Sequence, residues 1–143
     1  MPTSPRHSVS VAGAVVREDG RVLCIRRQDN GHWEPPGGIL ELGERILDGV
    51  VREVHEETGL TVIPETLTGV YQNEPRDIVA FVFRCRGTDG SLRTSDESTQ
   101  IMWLDREEIK SRMSEAYAVR ITDALDYAGI PAVRTHDGKH LTN

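Results

Sequence analysis

The sequence predicts an α/β fold, a mixed β-sheet sandwiched by helices in an α/β/α arrangement, and three observations carry that expectation. Strand-like and helix-like segments are interleaved along the 143 residues rather than segregated. One segment, Asp77 to Arg86 (DIVAFVFRCR), alternates and then runs apolar, as a central strand does. One helix, about Glu44 to Thr58, sets an apolar arc beside a dense acidic edge. The length suits one domain, 1–143, with a core over about 8–130 and a polar C-terminal tail over 131–143.

Taken in order, Ser8 to Val16 (SVSVAGAVV) and Arg21 to Arg27 (RVLCIRR) read as two strands joined as a hairpin around Glu18-Asp19-Gly20. A loop from Gln28 to Gly43 leads into the acidic helix. Within it, Trp33-Glu34-Pro35-Pro36-Gly37-Gly38 is first stiff and then permissive, so that backbone can approach a ligand closely. Gly59 supplies the helix stop. Thr61-Val62-Ile63 and Leu67 to Tyr71 are extended and broken by Pro64, and Gly87 to Gly90 read as a turn after the central strand. Thr99 to Leu104 is a further strand, and Asp105 caps a short helix through Met113. Ala116 to Tyr127 is a last helix, ended by Gly129 and Pro131. Arg134 to Asn143 is polar and expected to be loose.

Composition narrows the function classes. The net charge of −6 argues against broad affinity for nucleic acid or anionic membrane. No apolar run approaches a membrane span, and the N-terminal MPTSPRHSVS has no hydrophobic signal region. Cys24 and Cys85 fall inside strand-like runs without a CxxC pair, which reads as buried free thiols and a reducing cytoplasm. His136 and His140 share the tail with no third metal ligand evident.

The acidic helix carries the chemistry. At 100° per residue Glu53, Glu56 and Glu57 crowd one edge, while Ile46, Leu47, Val50, Val51 and Val54 fill a neighbouring arc suited to a core. Like charges at this spacing cost about 0.2–0.5 kcal/mol per pair, so the cluster is unfavourable unless a cation sits among it. Hard oxygen ligands suit Mg²⁺ or Mn²⁺. Arg52, one turn before Glu56, is placed to orient that carboxylate and neutralise part of the cluster.

From Gly38 to Leu60 the chain reads G-x5-E-x7-R-E-V-x-E-E-x-G-L, and it resembles the Nudix box at every defining position. The resemblance extends over roughly Val9 to Ala128. It implies the Nudix α/β/α sandwich and hydrolysis of a pyrophosphate bond in a nucleoside diphosphate linked to another moiety, with Mg²⁺ or Mn²⁺. Glu53, Glu56 and Glu57 would be the metal carboxylates, Gly38 an additional carbonyl ligand, and Arg52 their orienting cation. Glu44 would hold loop and helix together or join an outer metal shell. Either Glu53 or Glu97 would take the proton from the attacking water. Arg27 would contact phosphate or form a surface ion pair, and Trp33 would pack the loop or contact a base or ribose. Gly49 stands where relatives commonly have Ala, a departure worth about 1 kcal/mol of helix propensity. Pro75, sixteen residues after Gly59, lies near a proline of ADP-ribose-cleaving relatives, or is an ordinary turn residue. A (d)NTP substrate is equally open.

The implied partners are a small nucleotide substrate and, as in many relatives, a second copy in a homodimer, with no nucleic acid and no membrane. The alternative is a catalytically silent Nudix-fold module that senses a nucleotide without cutting it. Such modules usually lose a box acid, and this chain has lost none. RNA decapping is disfavoured by the acidic balance.

Overall fold

The computed structural model describes residues 4–142; the extremities of the expected domain, 1–3 and 143, lie outside the described residues. The chain runs β1 (Ser8–Val15), β2 (Val22–Arg27), β3 (Trp33–Glu34), β4 (Gly37–Ile39), α1 (Ile46–Thr58), β5 (Leu60–Asn73), β6 (Ile78–Gly90), β7 (Ser98–Leu104), α2 (Arg106–Arg112), α3 (Glu115–Leu125) and β8 (Ala132–His136). A five-stranded mixed sheet has the order β4-β1-β6-β5-β8, and a three-stranded antiparallel sheet has the order β3-β2-β7. In the larger sheet β1 runs parallel to β6 and antiparallel to β4.

The period-2 alternation of the strands builds two cores. Val11 and Val15 of β1 pack with Val50 and Val54 of α1, together with Leu23, Val62 and Cys85. Their neighbours Ala12 and Ala14 face the opposite way and pack with Ile109, Ile121 and Ala124 of α2 and α3. Helices therefore cover both faces, which is the expected α/β/α sandwich, and the central strand is β6 as its apolar run implies. Cys24 and Cys85 are buried and free as expected, and burial pushes the Cys85 thiol up to about 12. No helix among the described residues is long and apolar enough to cross a membrane.

Four expectations are corrected. β1 and β2 do not form a paired hairpin: the expected turn closes with the Val16–Val22 bridge and the Arg17 N–H to Arg21 carbonyl bond, but the strands then enter different sheets, because β4 and β6 already occupy both edges of β1. Pro64 does not break β5, which bulges between Pro64 and Thr66 and so absorbs the missing N–H. Gly87 to Gly90 is no turn; it continues β6 and pairs with Leu60 to Val62. The tail is not loose either. Ala132 to His136 adds a parallel strand beside Gly69 to Asn73, and His136 is fully buried. The loop from Gln28 to Gly43 also contains the two short strands β3 and β4.

Helix ends follow local chemistry. α1 starts at Ile46, after an Arg45 cap, rather than at Glu44. Its first apolar residues are corrected too: Ile46 and Leu47 are exposed, since only the later turns lie on the sheet. Gly59 ends the helix with φ of 84° and donates its N–H to the His55 carbonyl, a left-handed cap that a side chain would strain. Gly49 is buried, and a Cβ there would sit 2.6 Å from Leu40 Cδ1, so the lost propensity is exchanged for close packing of helix on loop. Asp105 caps α2 through a reciprocal capping box with Glu108. α3 begins after Ser114 and stops at Leu125, short of the expected Tyr127.

The buried tail has a measurable consequence. Burial, and then the nearby Arg120 guanidinium, hold His136 below the usual histidine range, against the smaller opposing effect of Asp137. The unfolded chain takes up this proton near pH 6.5, whereas the folded chain resists it. Stability from His136 is therefore present above about pH 6.5 and lost as pH falls below it. Melting temperatures measured from pH 8 to pH 5 are expected to fall across that window, and to fall less in His136→Asn. Parallel curves would remove His136 as the cause.

Candidate active site

The short strand β4 and the helix α1 bring the predicted residues together. β4 pairs with β1 through Gly37, Gly38 and Ile39, which holds the Pro-Gly-Gly turn against the sheet. α1 rises from the loop after β4 and turns Glu53 and Glu57 inward, where they are only 8% and 5% exposed. Glu56, one position round the helix, stays exposed. A cleft of about 750 Å³ results, lined by Arg27, Gly38, Glu53, Glu56, Glu57 and Glu97 among others.

Arg52 organises the acids. Its Nε and Nη2 donate to the two Glu44 carboxylate oxygens at 2.6 and 2.9 Å, a fork that only a guanidinium makes. Its Nη1 donates to Glu53 at 2.7 Å and to Glu56 at 3.2 Å, and Nη2 also reaches the Ile39 carbonyl at 3.3 Å. Glu44 further accepts the Glu41 N–H at 3.1 Å. Arg52 chiefly, with that N–H, holds the Glu44 carboxyl down at about 2. Glu44 therefore ties loop to helix and does not line the cleft. Arg52 meets Glu53 more closely than Glu56, the residue its one-turn spacing points to.

Glu57 is the most perturbed acid of the cleft. It accepts the Gly37 N–H at 3.1 Å, but burial pushes its carboxyl up to about 8, with the charges of Glu53, Glu34 and Glu97 adding to the effect. Burial likewise raises Glu53, and Arg52 opposes the rise. Gly38 lies against this pair: a Cβ there would fall 2.6 Å from Glu53 Oε2.

At the rim, Arg27 pairs with Asp29 at 2.7 Å and with Glu34 at 3.1 Å. It thus makes ion pairs and lines the cleft at the same time. Glu97 is exposed on the loop before β7, and Gln28 N–H donates to its backbone carbonyl at 2.9 Å, fixing that loop to the end of β2. Trp33 is buried in the core beneath α2 and α3, with the Arg112 guanidinium 5.5 Å above its ring, and it does not line the acidic cleft. Loop packing is the role that its position supports. Pro75 sits in the turn between β5 and β6.

The residues fit a divalent cation. The cleft gathers hard oxygen donors: the carboxylates of Asp29, Glu41, Glu53, Glu56, Glu57, Asp96 and Glu97 line it against two guanidiniums, Arg27 and Arg52. The absent side chain at Gly38 leaves its carbonyl approachable beside Glu53. Among the described residues the acids do not yet converge as a finished cage; Arg52 is the shared partner of Glu53 and Glu56.

A model of the NUDIX domain matches residues 6–125, which is most of the chain. The chain belongs to the Nudix family. A MutT-like protein of Streptomyces ambofaciens is 63% identical over 137 residues, covering 96% of this chain and 88% of the relative. The 8-oxo-dGDP phosphatase NUDT18 of Homo sapiens is 40% identical, covering 91% of this chain and 40% of the longer relative. Among solved structures, an ADP-ribose pyrophosphatase from Streptococcus suis superposes with a TM-score of 0.75 at 22% identity, covering 92% of this chain and all of that one, which shows the shared fold. The Nudix box read from Gly38 to Leu60 supplies Gly38, Arg52, Glu53, Glu56 and Glu57 to this cleft. Sequence reasoning missed Glu34 and Asp29 as partners of Arg27, the Gly37 N–H as a donor to Glu57, and Asp96 beside Glu97 on the cleft. Glu34 and Gly37 stand inside the WEPPGG run; nothing local marked Asp29 or Asp96.

Proposed function

We propose that this Nudix hydrolase is a divalent-metal-dependent pyrophosphohydrolase that cleaves the pyrophosphate bond of a small nucleotide, a nucleoside diphosphate linked to another moiety or a (d)NTP, by attack of water at phosphorus. The observation that carries the reading is the buried pair Glu53 and Glu57, which shares one cleft with Glu56, Glu97 and the backbone of Gly38. Glu53, Glu56, Glu57 and the Gly38 carbonyl would hold Mg²⁺ or Mn²⁺. That cation supplies Lewis-acid stabilisation of phosphate charge and lowers the pKa of a water.

The chain's own residues do the positioning. Arg52 holds Glu53 and Glu56 in register with Glu44, which anchors the arrangement to the loop. Arg27 stands at the mouth, where an incoming phosphate competes with Asp29 and Glu34 for its donors. Glu97 accepts the proton of the attacking water: its exposed carboxylate is engaged in no ion pair among the described residues, while Glu53 is committed to Arg52. The relatives are named for different substrates, 8-oxo-dGDP and ADP-ribose, so likeness alone leaves this chain's substrate open. The buried thiols of Cys24 and Cys85 suit a reducing cytoplasm. A homodimer is part of the same reading, and light scattering of the purified protein tests it.

The decisive experiment incubates the protein with ADP-ribose, NADH, dinucleoside polyphosphates and common and oxidised (d)NTPs, with Mg²⁺ or Mn²⁺. Release of a nucleoside monophosphate or of phosphate is expected from at least one of them, and chelation is expected to abolish it. Tight nucleotide binding with no product across the panel would instead establish a sensing module.

A further inference from the structure

A second cavity, of about 270 Å³, opens beside the acidic cleft and shares Arg27, Gly37, Gly38 and Ile39 with it. Its wall also carries Asn73, from the end of β5, and Arg120 and Tyr117, from α3. Asn73 and Arg120 are 6% and 7% exposed, and Asn73 Oδ1 and Arg120 Nε have no hydrogen-bond partner. Buried polar groups without partners are rare and costly, and here an acceptor and a donor of this kind line the same cavity.

Arg120 is also short of compensation. It forms no carboxylate ion pair among the described residues; its guanidinium lies 4.6 Å from the Tyr117 ring and 5.3 Å from the Tyr71 ring. Its Nη2 meets His136 Nε2 at 3.1 Å, but the Gly138 N–H donates to Nδ1 of the same ring at 2.9 Å. A neutral imidazole accepts at one nitrogen only, so it cannot serve both donors. The cavity thus presents a cationic donor seeking an oxygen, an amide oxygen seeking an N–H, and the Tyr117 ring on the same wall for a planar group.

We propose that Asn73 and Arg120 are specificity-determining residues that read a lactam edge, a carbonyl oxygen beside a ring N–H, on the base of the nucleotide whose phosphates occupy the acidic cleft. This rests on the hydrolase reading above. Arg120 Nε donates to the carbonyl oxygen and Asn73 Oδ1 accepts the ring N–H. Guanine, hypoxanthine and uracil carry such an edge. Adenine answers Asn73 with its amino group but offers Arg120 a ring nitrogen in place of a carbonyl oxygen, which is the poorer partner for an uncompensated cation. A phosphate would be drawn by Arg120 and by Arg27 and Arg76 on the same lining, but it carries no N–H and would set its oxygens against Asn73 Oδ1, leaving that acceptor unanswered.

Inosine and adenosine nucleotides differ at this edge and are the test pair. Isothermal titration of inosine and adenosine 5′-monophosphates, with chelator present, reads the preference without turnover, and kcat/KM for the two triphosphates with Mg²⁺ reads it in catalysis. The expected preference for inosine is about tenfold or more in both. Asn73→Leu and Arg120→Gln are expected to bring the ratio near one by raising KM for the inosine substrate, with kcat retained. If Arg120→Gln does not fold, the wild-type comparison and Asn73→Leu still decide. Equal affinity for the two nucleotides, or an unchanged ratio in Asn73→Leu, overturns the proposal. Hydrolysis with no base preference overturns it and leaves the hydrolase reading intact. Preferential binding with no hydrolysis of any substrate does the reverse.

Discussion

Glu57→Gln is expected to lower turnover by more than about 100-fold while leaving the melting temperature close to that of the parent protein. The carboxylate is buried, and burial together with the acids around it pushes its pKa up to about 8, so the fold already disfavours the charge. An amide of the same shape removes that penalty and still offers an oxygen to the Gly37 N–H, now 3.1 Å from the carboxylate. What it cannot do is contribute negative charge to a cation. Wild-type protein is therefore expected to melt at a higher temperature with added Mg²⁺ or Mn²⁺, and the variant to show little shift. Near-normal turnover in Glu57→Gln would sink the site assignment, and a collapsed fold would show that Glu57 is structural.

The adjacent glycines are expected to separate stability from catalysis. At Gly37 an added Cβ runs into the Val11 carbonyl oxygen and sits 2.6 Å from Ala12 Cβ, both on the buried strand β1. Backbone in the middle of a sheet cannot yield cheaply, so Gly37→Ala is expected to cost about 1–3 kcal/mol of stability and to pull the Gly37 N–H from Glu57. At Gly38 the atoms nearest the added Cβ are the carboxyl end of Glu53, at 2.6–2.7 Å. A flexible side chain can swing away, so the fold survives but the acid leaves its place beside Arg52. Gly38→Ala is expected to lose about 10–100-fold in kcat with a small change in melting temperature. Thermal denaturation and steady-state kinetics on the two variants check the contrast. Equal losses of stability, or full activity in Gly38→Ala, would refute it.

The acidic site was legible because its residues sit on one helix. Helical spacing converts sequence distance directly into direction, so Arg52, Glu53, Glu56 and Glu57 were placed together before any tertiary contact was known. The cap at Gly59 and the capping box at Asp105 were legible for the same reason, since each is closed by atoms within a few residues. Val50 and Val54 fell where the apolar arc put them, but Ile46 and Leu47 did not, because the pattern cannot say where the sheet beneath the helix ends.

Strand partners were less legible. A strand carries no local record of which edges are taken, and so the turn at Glu18-Asp19-Gly20 looked like a hairpin although β1 and β2 enter different sheets. The polar tail looked loose because the burial of His136 depends on a distant element: α3 brings Arg120 and the Tyr117 ring against it, while the Gly138 N–H two residues on is its local donor.

By itself, then, the sequence determined the acidic helix, the crowding of Glu53, Glu56 and Glu57 on one edge of it and the α/β class, all of which follow from short-range periodicity. Only the tertiary structure showed that Glu44 bonds to Arg52 and to the Glu41 N–H, that Trp33 is buried in the core, and that Asn73 and Arg120 face one cavity from β5 and α3. Those two residues lie far apart in the chain, and an unpaired donor and acceptor become meaningful only once folding has removed the water around them.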